Sequence, residues 1–405
     1  MGLTSQKLQI LIAVLAVVCF AATVWLWPRL SGRDWRALLA RVGTLLVSQL
    51  LTLLAIALAA NNWGAFYSSW SDLLGTDQGG PVTTSSSTVL PSGASDSSRS
   101  SVDVAGGRSV ALQLPGFKDR GGGTVEKVSI HGAATGLTEP GFIYLPPQYD
   151  EPAYARSAFP VIVVFTGYPG NPTSLITRMK YPTVAAQAIQ RKQMQPTIMV
   201  LMRPSVAMPR DTECQDVPGG PQAESFFTRD LHRAVASRYR AETSAAGWGV
   251  IGDSTGGYCA LKITMRHPEA FTVAASLSGY YRADVDGTTG DLFGGSALLR
   301  HENDLMWRLE HVAHPPVSLL VSSSRKGEGD YRATLAFAAA ATAPTSTSTL
   351  ILPQGGHNFA TWNRETPAAL RWMSARLSPP VTTGTGSGAD GSRRFPTATA
   401  RRQHG

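Results

Sequence analysis

The residue most apt for covalent chemistry is Ser254, set in Gly252-Asp253-Ser254-Thr255-Gly256, which fits G-x-S-x-G. The apolar run Trp248-Gly249-Val250-Ile251 leads into it, and a helix-like run carrying Tyr258, Leu261 and Met265 follows. A serine on a sharp turn between strand and helix needs small neighbours, because the backbone is strained there and side chains two positions away would collide. Gly252, Gly256 and Gly257 give that room. A helix starting here also aims its first N–H groups at any oxygen that becomes negative during acyl transfer. The pentapeptide alone would pass for a Gly-rich turn of any parallel α/β protein; its flanks favour a nucleophile.

A hydroxyl is a weak nucleophile until a base takes its proton. His357 is the expected base, because Pro353-Gln354-Gly355-Gly356-His357-Asn358-Phe359 is a Gly-opened loop between an apolar stretch and a C-terminal helix. His267 in a His-Pro pair, His301 and His311 in a helix-like stretch, and His314 before two prolines are placed less well. A carboxylate should fall between serine and histidine in the chain, to hold the imidazole tautomer and stabilise its cation. The loop after 317–322 offers Glu328 and Asp330; Glu328 is preferred and Asp330 stays open. Two backbone donors would complete an oxyanion hole: the N–H of Thr255, and that of Tyr168 in the turn that ends the apolar run 161–166.

Placing these residues together requires a layered scaffold. Between about 110 and 377, short β-branched runs alternate with helical segments, which predicts an α/β fold with a mostly parallel central sheet and helices on both faces. Strands are predicted at 142–144, 161–166, 198–202, 249–251, 273–277, 317–322 and 349–352. Helices are predicted at 183–191, 226–239, 256–267, 333–341 and 367–377.

The 405-residue chain is 43% hydrophobic and 16% charged, which excludes a disordered protein and allows one large domain with appendages. A net charge of +8 invites a nucleic-acid partner, but the Arg residues are dispersed and no basic helix or aromatic-interleaved basic stretch is present. The excess charge is read as membrane-related instead. Residues 8–27 and 42–60 are uncharged apolar runs of membrane-spanning length. Arg29, Arg33, Arg36 and Arg41, against Asp34 alone, mark their connection as cytoplasmic, which places everything after Asn61 outside the cell membrane. Trp25, Trp27 and Trp63 sit where interfacial aromatics would. Two transmembrane helices in an anchor, 1–78, are thus expected rather than a cleaved signal peptide. A Ser/Gly-rich linker is expected at 79–108, a catalytic domain at 109–378 and a disordered tail at 379–405.

Only three Cys are present, with no C-x-x-C pair, so no metal site is implied, and no cofactor is called for. In an extracytoplasmic domain the pair Cys214 and Cys259 is expected to form a disulfide rather than two separate thiols.

The stretch from about 141 to 372 resembles the esterase family of the α/β-hydrolase superfamily that includes esterase D-like hydrolases and the secreted mycolyltransferases of mycobacteria and their relatives. Gly252-Asp253-Ser254-Thr255-Gly256-Gly257, the Thr166-Gly167-Tyr168 turn, and Gly355-Gly356-His357-Asn358-Phe359 with Trp362 carry the likeness. It implies a nucleophile at Ser254, a base at His357, an acid near Glu328, and backbone donors at Tyr168 and Thr255. The double span is not part of the secreted mycolyltransferase pattern. The reading is therefore a membrane-anchored serine esterase acting on a small-molecule or lipid ester. Its alternatives are a cell-envelope acyltransferase with an envelope acceptor, and a non-catalytic binding module on the same fold.

Overall fold

Residues 5–32, 34–64, 99–112 and 121–382 are described by the structure, a computed structural model. Helices α1 (Gln6–Leu26) and α2 (Trp35–Gly64) contain apolar stretches of 20 and 27 residues. At 1.5 Å per residue these are about 30 and 40 Å long, enough to cross a membrane. They expose large apolar side chains on most of their surface, Val17 at 68% and Leu50 at 66% among them. Helix α2 begins well before the expected start at 42, so Arg36 and Arg41 lie in its first turns and not in the connection. Ala37, Leu38, Leu39 and Ala40 are good helix formers with no breaker among them, so nothing ends the helix at the charges.

The strands are β1 (Ser101–Ala111), β2 (Thr124–His131), β3 (Thr138–Leu145), β4 (Ser157–Ala158), β5 (Val161–Phe165), β6 (Ile198–Met202), β7 (Trp248–Asp253), β8 (Val273–Leu277), β9 (Ser318–Ser324), β10 (Ser346–Leu352) and β11 (Val381–Thr382). Nine of them form one sheet in the order β1-β2-β3-β6-β5-β7-β8-β9-β10. The pairs from β1 to β6 are antiparallel, and those from β6 through β5 to β10 are parallel. The central strands β5, β6, β7 and β8 are buried throughout. That explains why they read as unbroken apolar runs, each enclosed Val or Ile contributing about 1.5–3 kcal/mol.

The helices of this domain are α3 (Pro172–Thr177), α4 (Tyr181–Gln190), α5, α6 (Thr255–Arg266), α7 (Ala297–Glu302), α8 (Leu305–His311), α9 (Tyr331–Ala340) and α10 (Phe359–Ser374). Helix α5 has three consecutive pieces, Ala223–Ser225, a π turn Phe226–Asp230, and Leu231–Arg238. Along β5, Val161, Val163 and Phe165 join Phe226, Leu231, Leu261 and Phe337 in one core, while Ile162 and Val164 join Leu175, Ala185 and Leu370 in another. Alternate residues of a strand point to opposite faces, so α5, α6 and α9 cover one face and α3, α4 and α10 the other.

Three boundaries depart from expectation. The sheet starts at Ser101, inside the stretch read as linker, and its register with β2 slips between Val104 and Ser109, around a Gly pair that made the segment look unstructured. Helix α10 starts at Phe359, not at Pro367, because the Asn358 side chain caps it by accepting from the Thr361 N–H. At the C-terminal end, β11 pairs with β4 in a two-residue ribbon within the expected tail. Most of the expected linker and the rest of the tail lie outside the described residues.

Candidate active site

The site lies at the C-terminal ends of the parallel strands, where side chains from successive loops converge. Ser254 follows β7 directly and opens α6 with φ 54° and ψ −122°, a conformation that costs a non-glycine residue roughly 1–3 kcal/mol. The surrounding turn enforces it. A Cβ on Gly256 would fall 2.5 Å from the Thr166 carbonyl oxygen, so only glycine lets the first turn of α6 approach the end of β5. The backbone of Gly167 passes so close that a Cβ there would lie 3.0 Å from that of Ser254. Asp253 completes the junction by accepting the Gly167 N–H at 2.9 Å. Burial pushes the Asp253 carboxyl up to about 7, and this hydrogen bond opposes the rise.

His357 stands on the loop between β10 and α10, and its Nε2 lies 2.8 Å from Ser254 Oγ. The two residues are 103 positions apart in the chain. Trp362 from α10 packs edge-on against the imidazole at 5.1 Å between ring centres. The protein crowded around the ring lowers the His357 pKa below 6.5, against the opposing charges of Glu328 first and Asp330 second. The ring still reaches solvent at the rim.

The loop after β9 brings Glu328 near enough to this histidine for its charge to bear on the imidazole. Its Oε2 accepts from the Ser324 N–H at 2.5 Å and the Ser323 hydroxyl at 3.3 Å, while Oε1 is buried without a hydrogen-bond partner. Gly327 has φ +96° and lies where a Cβ would meet the Gly355 carbonyl at 2.2 Å. The Gly355 N–H also donates to the Lys326 carbonyl at 3.0 Å, so the Glu328 and His357 loops are stitched together. Asp330 instead begins α9 and bears more weakly on the imidazole.

Thr255 is the first residue of α6, so its N–H has no carbonyl one turn back to bond. Tyr168 follows Gly167 across the turn from Ser254, and its hydroxyl donates to the Pro209 carbonyl. The structure thus gathers Ser254, His357, Glu328, Tyr168 and Thr255 at one place. The histidines set aside on sequence grounds are engaged elsewhere: His267 pairs with Glu224 and Glu269, His314 with the Leu309 and Thr342 carbonyls, and His301 and His311 stack on Trp307. Among the described residues no three His, Cys, Asp or Glu side chains are grouped as metal ligands.

Two carboxyls were not singled out by sequence. Asp253 is one. Glu365 on α10 is fully buried, and burial pushes it up to about 8, with the Ser322 hydroxyl opposing and the charges of Glu328 and Asp253 adding. Its place on the inward face of α10 was the available signal, but the expected start of that helix at 367 excluded it.

Residues 133–373 match the family described as Putative esterase, more than half of the chain. The chain belongs to that family. The chain is 23% identical over 278 residues to an uncharacterised protein of Corynebacterium glutamicum, a match that takes in 65% of this chain and 64% of that relative. It therefore spans less than two thirds of the length of the curated relative it matches. Solved structures share the fold. The S-formylglutathione hydrolase of Agrobacterium tumefaciens is 15% identical with a TM-score of 0.53, over 66% of this esterase and 100% of that chain. A ferulic acid esterase is 16% identical with a TM-score of 0.54, over 62% and 98%. FphF, a fluorophosphonate-binding serine hydrolase of Staphylococcus aureus, is 14% identical with a TM-score of 0.51, over 62% and 98%. The fold they share with this chain is that of the α/β hydrolases.

Proposed function

We propose that this esterase is anchored in a membrane by α1 and α2, carries its catalytic domain on the extracytoplasmic side, and cleaves esters by a Ser254-His357-Glu328 triad. The observation that carries the reading is the 2.8 Å contact between His357 Nε2 and Ser254 Oγ at a strained turn. In that geometry the neutral imidazole takes the hydroxyl proton as Oγ bonds to the ester carbonyl carbon. The carbonyl oxygen becomes negative between the N–H groups of Thr255 and Tyr168. Collapse breaks the ester C–O bond, the imidazolium proton leaves with the alcohol, and an acyl-Ser254 remains. Water, deprotonated by His357, releases the acid by the same sequence. The Oε1 of Glu328, buried and without a partner at rest, would accept the Nδ1 proton in a bond that forms as the cation develops. The disulfide and the apolar helices support the extracytoplasmic, membrane-bound placement.

Labelling of the full chain in detergent with a fluorophosphonate tests this reading. Wild type is expected to label, and Ser254→Ala and His357→Ala to lose labelling while melting as cooperatively as wild type. A folded wild-type protein that does not label, with turnover retained in Ser254→Ala, would refute it. Product analysis with an added alcohol separates hydrolysis from transfer, and hydrolysis is the expected outcome.

A further inference from the structure

Residues 213–224 lie along the buried helix α6 and hold it by a single stripe. Thr255, Cys259, Lys262 and Arg266 recur at helical spacing, and each is tied to this segment. Cys259 is bonded to Cys214. Lys262 Nζ, fully buried, donates to the Glu213 and Cys214 carbonyls at 3.3 and 3.2 Å and to Gln215 Oε1 at 2.8 Å, and pairs with Glu224 at 3.3 Å. Arg266 pairs with the same Glu224 at 2.6 Å.

The fourth tie, to Thr255, is of a different kind. It passes through a hydroxyl and ends beside Ser254. Glu213, 1% exposed, accepts from the Tyr280 hydroxyl at 2.6 Å and the Asp284 N–H at 3.3 Å, both on Oε1. The Tyr280 oxygen lies 3.0 Å from Thr255 Oγ1. One hydroxyl, that of Tyr280, thus links the Glu213 carboxyl to the Thr255 side chain. The Tyr280 ring is itself fixed by stacking on Tyr258 at 5.1 Å. Glu213 and Cys214 both take φ 46°, a strained backbone that aims the carboxyl at Tyr280 while leaving Cys214 in reach of Cys259. Burial, then Asp211, push the Glu213 carboxyl up to about 9, with Tyr280 and Lys262 opposing and Asp284 adding. A packing role needs none of this, since Lys262 already satisfies the carbonyls of the segment.

We propose that Glu213 and Tyr280 are positioning residues for acyl transfer: by fixing the Thr255 side chain they hold its N–H where the oxyanion forms. This rests on the assignment of Ser254 and Thr255 above. A displaced oxyanion donor slows the chemical step and leaves ground-state binding alone, so the loss belongs in kcat.

The test is steady-state hydrolysis of a nitrophenyl ester by the full chain in detergent. Tyr280→Phe and Glu213→Leu are each expected to lower kcat about tenfold with KM within about twofold, and the double variant to be no worse than either. Glu213→Gln, whose amide oxygen still accepts from Tyr280, should recover most of the rate. Full kcat in Tyr280→Phe with Ser254→Ala inactive would overturn the positioning role alone, as would additive losses or Glu213→Gln as impaired as Glu213→Leu. Turnover retained in Ser254→Ala would instead overturn the reading beneath it.

Discussion

At the scale of single residues, the proposed triad makes a prediction about pH. The base must be neutral to take the Ser254 proton, and crowding holds the His357 pKa below 6.5, so kcat/KM should rise along an acid limb whose midpoint lies below that value. Glu328 opposes this shift more than Asp330 does, since its negative charge favours the imidazolium. Glu328→Gln should therefore move the limb to still lower pH and lower kcat by about 10²–10⁴-fold, because the tautomer and the cation both lose their partner. Asp330→Asn should move the limb in the same direction by less and leave kcat nearly intact. A pH-rate profile of the two variants checks this, and the reverse ranking would transfer the acid role to Asp330. The pairing of Ser254 with His357 was legible in the sequence because a strained turn demands small neighbours and the loop before α10 opens on Gly355 and Gly356. Asp253 was not, because its part in tying Gly167 to the turn depends on β5 and β7 being neighbours. Glu213 was not legible either, because the hydroxyl that links it to Thr255 comes from a loop 67 positions away.

At the scale of elements, the central strands were legible because burial on both faces leaves no polar alternation to confuse, and β6 and β8 fall where expected. The antiparallel edge was not. Strand β1 carries the Gly and Ser of a linker and β2 the mixed polarity of a surface, so only their pairing with each other and with β3 reveals them as strands. Helix α6 is held by residues 213–224 as well as by the sheet, and the Cys214–Cys259 bond closes a separation of 45 positions. A loop of that length is expected to contribute about 2–4 kcal/mol by restricting the unfolded chain. The double variant Cys214→Ala, Cys259→Ala should lose about that much in urea unfolding of the detergent-solubilised chain. It should also lose fluorophosphonate reactivity in proportion less than it loses stability, because Lys262, Glu224 and Tyr280 still hold the helix. Unchanged stability would mean that the buried ion pairs alone fix α6. Complete loss of labelling in a folded double variant would mean that the disulfide sets the site itself.

At the scale of the whole molecule, the disulfide and the apolar helices bear on one part of the proposal, that the domain is anchored to a membrane on its extracytoplasmic side. A disulfide persists in an oxidising compartment, and Cys214–Cys259 lies in the domain, whereas Cys19, in α1, is unpaired in the structure. Arg29, Arg36 and Arg41 flank the short connection from α1 to α2, two of them within the first turns of α2 where they can stay at the headgroups. Basic residues within short connections tend to remain on the cytoplasmic side, so under the proposed anchoring both ends of the helix pair would point outward. The Arg29 guanidinium lies 3.8 Å over the Trp25 ring, an arrangement suited to an interface where one partner is wet and the other half-buried. Protease added to intact spheroplasts expressing the chain should then remove the domain, while an alkaline carbonate wash leaves a fragment containing α1 and α2 in the membrane. Replacing Arg29, Arg33, Arg36 and Arg41 by Gln should weaken that bias, giving a mixed population in which part of the domain resists protease until lysis. Full protection of the wild-type domain until lysis would place it in the cytoplasm, where the disulfide would not persist, and would leave the triad chemistry unaffected.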